Sequence, residues 1–292
     1  MIVYSTDNAL DSLEMSPVAF FDGTFKIAPR HFRQIFIVRV IVNDVTIPAV
    51  YAFLEDKSFK SYSLALKIIK RARPEWCPAK IISDFETPEL QALEEHFGQT
   101  CQFIKGCNFH FNQAVLKHFK KVPGFSDNFD LRECLYLCYG LPFVPPSDVP
   151  FAWEHIKGRL RTEHPLVCET FIKYFTDTWM DGLYSVELWN CYQRTLDGDP
   201  RTNNVSEGGN HAINVAFGVE RPVFWKCVEK LREFQNETDC AIVQSITGRR
   251  RVVPKRRDRV RREERRVAYV RDYSNMSIHQ YLRNHCLLSG AR

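Results

Sequence analysis

PVAFFDGTFKIAPRHFRQIFIVRVIVNDVTIPAVYAFLE, residues 17–55, decides the fold of this chain. Residues 17–22 are apolar up to a single carboxylate, Asp22, and read as a short buried strand that ends there. After GTFKIAPRHF, the run RQIFIVRVIV (33–42) is β-branched and aromatic, ND at 43–44 is a turn pair, and VTIPAVYAFLE (45–55) returns as another strand. These are three antiparallel neighbours. Asp22 followed by Gly23 reads in two ways, as a turn carboxylate or as a charge placed for chemistry, and the local sequence leaves both open.

From Ser58 the spacing of Tyr62, Leu64, Ala65, Ile68 and Ile69 changes to a helical period, and Pro74 stops it. A fourth strand, AKIISD (79–84), again ends in a carboxylate, Asp84. TPELQALEEHF (87–97) reads as a helix with Thr87 as N-cap and Pro88 at its first position. TCQFIKG (100–106) is a fifth strand and NFHFNQAVLKHFKK (108–121) a third helix with a basic last turn. Residues 125–200 show no strand alternation, only helical stretches broken by LPFVPPSDVP (141–150). RTNNVSEGGNHAINVAF (201–217) is a helix capped by Asn203 or Asn204 and carrying Glu207, and Pro222 opens another. The expected organisation is a core beginning at residues 1–124, a helical insertion at 125–200, helices completing the core at 201–245 and a basic tail at 246–292.

Composition narrows the class. The 292 residues are 45% hydrophobic and 13% aromatic, enough for a substantial core, which excludes whole-chain disorder. No apolar run approaches the roughly 20 residues that span a bilayer, and no N-terminal stretch resembles a secretion signal, so a soluble intracellular protein is expected. Ten scattered cysteines without a CxxC pair read as reduced thiols. The net charge of +5 hides an asymmetry, because RRRVVPKRRDRVRREERR (249–266) holds eleven basic and three acidic residues. Arg249, Arg250, Arg251, Lys255, Arg256 and Arg257 open that run. It reads as a nucleic-acid contact, a nuclear-import signal or a solvated helix.

The chemistry rests on topology. Neighbouring parallel strands of an α/β sheet present their C-terminal ends on one edge, where ligands sit. If the first and fourth predicted strands pair, Asp22 and Asp84 meet, and two close like charges are costly without a cation between them. Mg²⁺ or Mn²⁺ suits such oxygen ligands, and a pair of ions about 3.5–4 Å apart is the usual apparatus for displacement at a phosphodiester. Glu207 is the candidate third ligand. His211, one turn later on the same face, is positioned either to orient that carboxylate or to sit solvated at the surface.

Six motifs in series then carry a resemblance: DGTFK (22–26), QIF (34–36), DKS (56–58) with Tyr62, IISDFE (81–86), GCNFHFNQAV (106–115) and TNNVSEGGNHAIN (202–214). In order and approximate spacing, from about residue 17 to 235, the chain resembles the transposase domain of Mutator-like elements (MULEs). The resemblance implies an α/β RNase H-like fold: a mixed five-stranded sheet flanked by helices, with an all-helical insertion before the third acidic residue. It implies that Asp22, Asp84 and Glu207 form a DDE-type triad holding Mg²⁺ or Mn²⁺ for DNA strand cleavage and transfer. Cys107 and His110 match the family's Cys-x-x-His pair beside the site. Two ligands do not make a structural zinc centre, so they are expected to organise the site or contact DNA, with His110 alternatively bonding a backbone group at its helix start.

The implied partners are DNA, specifically the element's terminal inverted repeats, and further copies of the chain, with no membrane; the implied location is the nucleus. The sequence departs from the family at Gly209, where many members carry a bulky aromatic, and upstream, where a zinc-binding recognition domain usually precedes the core. About sixteen residues precede the first predicted strand, so a truncated or domesticated copy is expected. Two readings of other classes stand beside the transposase: a catalytically inactive DNA- or protein-binding regulator, and a nuclease acting on host nucleic acid.

Overall fold

The computed structural model describes residues 1–43, 45–249 and 257–289. In chain order the elements are β1 (Ile2–Tyr4), α1 (Asp7–Met15), β2 (Val18–Thr24), β3 (Gln34–Val42), β4 (Val45–Leu54), α2 (Phe59–Ala72), β5 (Lys80–Ser83), α3 (Thr87–Phe97) and β6 (Phe103–Gly106). Helices α4 (Asn108–Phe119), α5 (Phe129–Tyr136), α6 (Val149–Glu163), α7 (Glu169–Phe175), α8 (Val186–Trp189) and α9 (Tyr192–Leu196) follow. The chain then adds α10 (Asn204–Phe217), α11 (Phe224–Ile246), α12 (Arg257–Arg271) and α13 (Ile278–Leu288). Among the described residues no helix is long and apolar enough to cross a membrane. All ten cysteines are free thiols.

The chain divides into two units, Met1–Lys105 with Thr202–Val253, and Gly106–Arg201 with Pro254–Arg292. The first holds a mixed sheet of six strands in the order β1-β4-β3-β2-β5-β6, one more than the five expected. The additional strand is β1, whose three residues pair antiparallel with β4 through Ile2↔Phe53 and Tyr4↔Tyr51. Three residues are too few to show an alternation; the helix α1 that follows, held by Thr6 as N-cap, is a further element that the sequence reading did not include. β2, β3 and β4 are antiparallel neighbours. The β3–β4 turn at Asn43 takes the left-handed conformation (φ 48) that asparagine tolerates.

The sheet buries both faces. Phe36, Val38 and Val40 of β3 turn to one side with Tyr62, Leu66 and Ile69 of α2 and Leu93 and Phe97 of α3. Ile35 and Ile37 turn to the other with Ile213 and Phe217 of α10 and Cys227 and Leu231 of α11. Period-2 alternation with both sets apolar is why β3 reads as a continuous hydrophobic run. At about 1.5–3 kcal/mol per fully buried large apolar side chain, Ile213 and Phe217 anchor α10 firmly to the sheet.

The second unit is all-helical and aromatic in its core, with Phe111 of α4 packed on Trp179 and Trp189 at centroid distances of 4.8 and 5.1 Å. Its boundaries differ from the expected insertion at 125–200. Helix α4, which followed strand β6 so directly that it read as part of the core, belongs here. So does the segment expected to be a basic tail: α12 and α13 pack into this unit, burying Val270, Tyr281, Leu282 and His285. Arg201 pairs with Glu263 at 2.5 Å and the Arg266 guanidinium lies 4.4 Å from the Phe143 ring centroid. The high arginine content masked the apolar positions that seat these helices.

Candidate metal and nucleic-acid site

β2 and β5 run parallel, in the register Val18↔Lys80, Ala19↔Ile81, Phe20↔Ile82. β2 does not end at Asp22 as expected but runs through Gly23 to Thr24, paired with β3; continued by one side-chain period, the β2–β5 register puts Asp22 and Asp84, the residue after β5, on the same side of the sheet, the side that α10 covers. Asp22 is 5% exposed. Its Oδ1 accepts from the Gly23 N–H at 2.8 Å and its Oδ2 from Asn210 Nδ2 at 2.6 Å. Gly23 has a second reason to lack a side chain: a Cβ there would stand 2.4 Å from Gln34 Oε1, which lies across it.

α10 is bound to the same strand end. Asn203 is its N-cap residue, but its side chain does not cap; Nδ2 donates to the Phe21 carbonyl at 2.8 Å, tying the helix start to the residue before Asp22. Two turns on, Asn210 bridges charges, accepting from Arg39 Nη2 at 2.5 Å while donating to Asp22. Arg39, from β3, is buried, which draws its pKa down, against the opposing pull of the Asp22 carboxylate. Gly209 makes this possible, because a Cβ at 209 would lie 2.7 Å from Arg39 Nε. The departure from a bulky residue at 209 thus coincides with a buried arginine in the space such a residue would need.

The remaining motifs form a second network. Gln34 Nε2 donates to the Tyr62 hydroxyl at 2.6 Å, the hydroxyl donates to Glu86 Oε1 at 2.7 Å, and Lys57 pairs with Glu86 Oε2. QIF, DKS with Tyr62, and IISDFE therefore meet through their polar members. Asp56 accepts from Ser58 and Ser61 at the start of α2, which holds its carboxyl down at about 2. Glu89 of α3 is buried and accepts from Ser83 Oγ at 2.6 Å; burial first, then the charges of Asp84, Glu86 and Asp22, push its pKa well above the carboxylate range. Its burial and these neighbouring charges favour the protonated form of Glu89. Sequence reading missed Arg39, Asn210 and Glu89; the sole signal was polar residues set in apolar periodic runs.

Asp22, Asp84 and Glu207 all belong to the first unit, and Glu207 lies one turn before Asn210 on α10. Three carboxylates are a hard-oxygen donor set, the chemistry that suits a hard divalent ion. As they stand, no three His, Cys, Asp or Glu side chains among the described residues converge closely enough to hold a metal. His211 is exposed on α10. Cys107, buried at the N-cap of α4, and His110, half-buried on that helix, belong to the second unit. Thr87 was expected to cap α3, but Glu86 takes the cap and Thr87 and Pro88 open the helix. Of the basic residues named above, Arg249 and Arg257 are exposed, and Arg250, Arg251, Lys255 and Arg256 lie outside the described residues.

Residues 18–114 match the family model of the MULE transposase domain, and that segment, about a third of the chain, is assigned to that domain family. The match takes in Asp22, Asp84, Cys107 and His110; Glu207 and His211 lie beyond it. No curated protein and no solved structure matches the chain.

Proposed function

We propose that the first unit is the RNase H-like catalytic core of a DDE-type transposase of a Mutator-like element, cleaving and joining DNA strands with Mg²⁺ or Mn²⁺. The observation that supports this reading is the parallel β2–β5 register, which, continued by one side-chain period, pairs position 22 with position 84, with Glu207 on the helix that bonds to Asp22. The strand order β4-β3-β2-β5-β6, an antiparallel trio whose β2 pairs parallel with β5, supports the RNase H-like assignment.

Asp22, Asp84 and Glu207 would hold the ions. When bound, such ions lower the pKa of an attacking water or 3′-hydroxyl and neutralise charge on the leaving oxygen. The chain's own contribution is orientation. Gly23 N–H and Asn210 Nδ2 each donate to one oxygen of Asp22 and so orient its carboxylate. Asn203 holds the start of α10, and with it Glu207, to the Phe21 carbonyl. The raised pKa of Glu89 favours its protonated form and so lessens repulsion among the carboxylates. The exposed arginines of α12 supply salt-dependent affinity for DNA phosphates. The substrate is element-end DNA in the nucleus, engaged by more than one copy of the chain.

The test is a Mg²⁺-dependent nicking and strand-transfer assay on the native chain, Asp22→Asn, Asp84→Asn and Glu207→Gln. Each substitution should lower activity by about 10³-fold or more. Equal activity in all four proteins removes the site. DNA binding without metal-dependent cleavage in the native chain selects the inactive regulator instead.

A further inference from the structure

Helix α13 is seated closely in the second unit. It lies against Gly140 of the 3₁₀ segment Leu137–Phe143, where a Cβ would stand 2.8 Å from the Leu282 Cα. Tyr281, Leu282 and Cys286 are buried, and the Tyr281 hydroxyl donates to the Phe143 carbonyl. The docked side also carries two histidines, His279 three residues before Leu282 and His285 three residues after it. Both stand among cations, and strand cleavage uses neither.

His279 meets α6. Its Nδ1 lies 3.4 Å from His155 Nε2 and 3.4 Å from Arg159 Nη1. A guanidinium can only donate, so Nδ1 accepts, and a ring nitrogen that accepts carries no proton. The nearby carboxylates are engaged: Glu163 takes the Arg159 fork at 2.8 and 2.9 Å, and Glu133 of α5 takes Arg283 Nε at 2.9 Å. Burial draws the pKa of both imidazoles down; His279 and Arg159 add to this at His155, and Arg159 and Arg283 at His279, against the pull of Glu163 on both and of Glu133 on His279. His285 is 0% exposed and stacks on Phe143 at 4.7 Å and 7°, with Tyr281 at 4.6 Å and Tyr269 of α12 at 5.9 Å. Neither of its ring nitrogens has a hydrogen-bond partner among the described residues. The charges that face it are Arg266 of α12 and Arg201, and Glu263 is engaged with Arg201; burial first, then the two cations, push its pKa well below 6.5. A proton there would be a buried charge with no acceptor.

We propose that α13 is an acid-released latch, docked in the second unit while His155, His279 and His285 are neutral and undocked when they take protons. In the undocked form the imidazoles are solvated and titrate near the ordinary value of about 6.5. Protons therefore favour the open form from about pH 6.5 downward, and docking weakens as pH falls. An imidazole held fully neutral in the docked form shifts the balance toward the open one by about tenfold at one pH unit below 6.5. Ordinary carboxylates stay ionised in that range, so Glu163 and Glu133 keep their arginines and the imidazoles are the groups that change. Release bares Tyr281, Leu282 and Cys286 together with the 3₁₀ segment beneath them. The latch does not depend on the metal reading, because Asp22, Asp84 and Glu207 belong to the first unit.

The experiment is hydrogen–deuterium exchange of the full chain at about pH 7.5 and about pH 5.5, corrected for the intrinsic pH dependence of amide exchange. Protection of the α13 amides should fall by about tenfold or more at the lower pH, while that of β3 and β4 changes by less than about twofold. The triple variant His155→Gln, His279→Gln, His285→Phe keeps hydrogen-bonding atoms at 155 and 279 and a flat ring at 285 but takes up no proton, so its α13 should be protected equally at both pH values. Where the triple change loosens the helix at pH 7.5, the comparison passes to His285→Phe alone and to the His155→Gln, His279→Gln pair, each of which should remove part of the fall. Equal protection of native α13 at both pH values overturns the proposal. So does a fall in β3 and β4 that matches the one in α13, or a fall in the variants as steep as the native one.

Discussion

Asn210→Ala isolates the bridge between Arg39 and Asp22. The substitution removes a 2.5 Å bond from a buried guanidinium and a 2.6 Å bond to a carboxylate that is 5% exposed. Hydrogen bonds to charged groups contribute about 1.5–3 kcal/mol each, and both partners remain buried after truncation. Arg39 would then have no donor satisfied by a side chain, while Asp22 keeps the Gly23 N–H. The expected loss is about 3–5 kcal/mol, a fall in Tm of about 10 °C for a unit of this size. Urea titration followed by tryptophan fluorescence measures it, and a double-mutant cycle with Arg39→Met sharpens it. Once the buried cation is gone, Asn210→Ala should cost about half as much, because one of its two bonds no longer exists. A loss under about 1 kcal/mol for the single change, or full additivity in the cycle, would refute the bridge.

Other consequences follow from the same contacts. Gly209→Ala should destabilise by about 1–2 kcal/mol despite its helix propensity, since the new methyl meets Arg39, while Gly208→Ala, with open space around it, should stabilise by about 0.5–1 kcal/mol; thermal melts of the pair read the contrast. Tyr62→Phe breaks the link between Gln34 and Glu86 and should cost about 1–3 kcal/mol by denaturant titration, because Gln34 stays buried. Glu89 has a folded-state pKa raised above its unfolded value of 4.5, so the unfolded state ionises first and stability declines as pH rises from there toward the folded value. Glu89→Gln should therefore match the native chain in stability near pH 4 and exceed it near pH 8, measured in chelator; an equal difference at both pH values would contradict a neutral Glu89.

Much of the core was legible because its signals are local. The hairpin of β3 and β4, the parallel strand ending at Asp84 and the helix Ser58 caps all follow from period, turn pair and cap residue. The elements that went unread fail that condition. β1 is three residues long, and α12 and α13 hide their buried positions, Val270, Tyr281 and Leu282, among arginines and polar residues. Two of the candidate ligands were visible as carboxylates following apolar strand runs, and the third, Glu207, as an acid near a helix start. Their supports were not, because Asn210 and Arg39 are 171 residues apart and Asn203 reaches Phe21 across 182. No window of sequence contains both ends of such a bond. Gly209 showed the difficulty most plainly: in the sequence it was only a departure from the family, and its reason lies on another element.

The helical stretch between residues 106 and 201 begins and ends at nearly the same place. Asn108 N–H donates to the Arg201 carbonyl at 2.9 Å, and the Arg194 guanidinium reaches the Gly106 carbonyl. Once that stretch has folded, its two ends are pinned together, so it presents to the rest of the chain the closure entropy of a short turn instead of that of a long loop. Glu207 can thus reach a sheet completed long before it in synthesis at little entropic penalty. The interruption is thermodynamically almost silent, and exchanging it for a different self-closing domain, or for a tight turn, should leave the strand-end carboxylates in register.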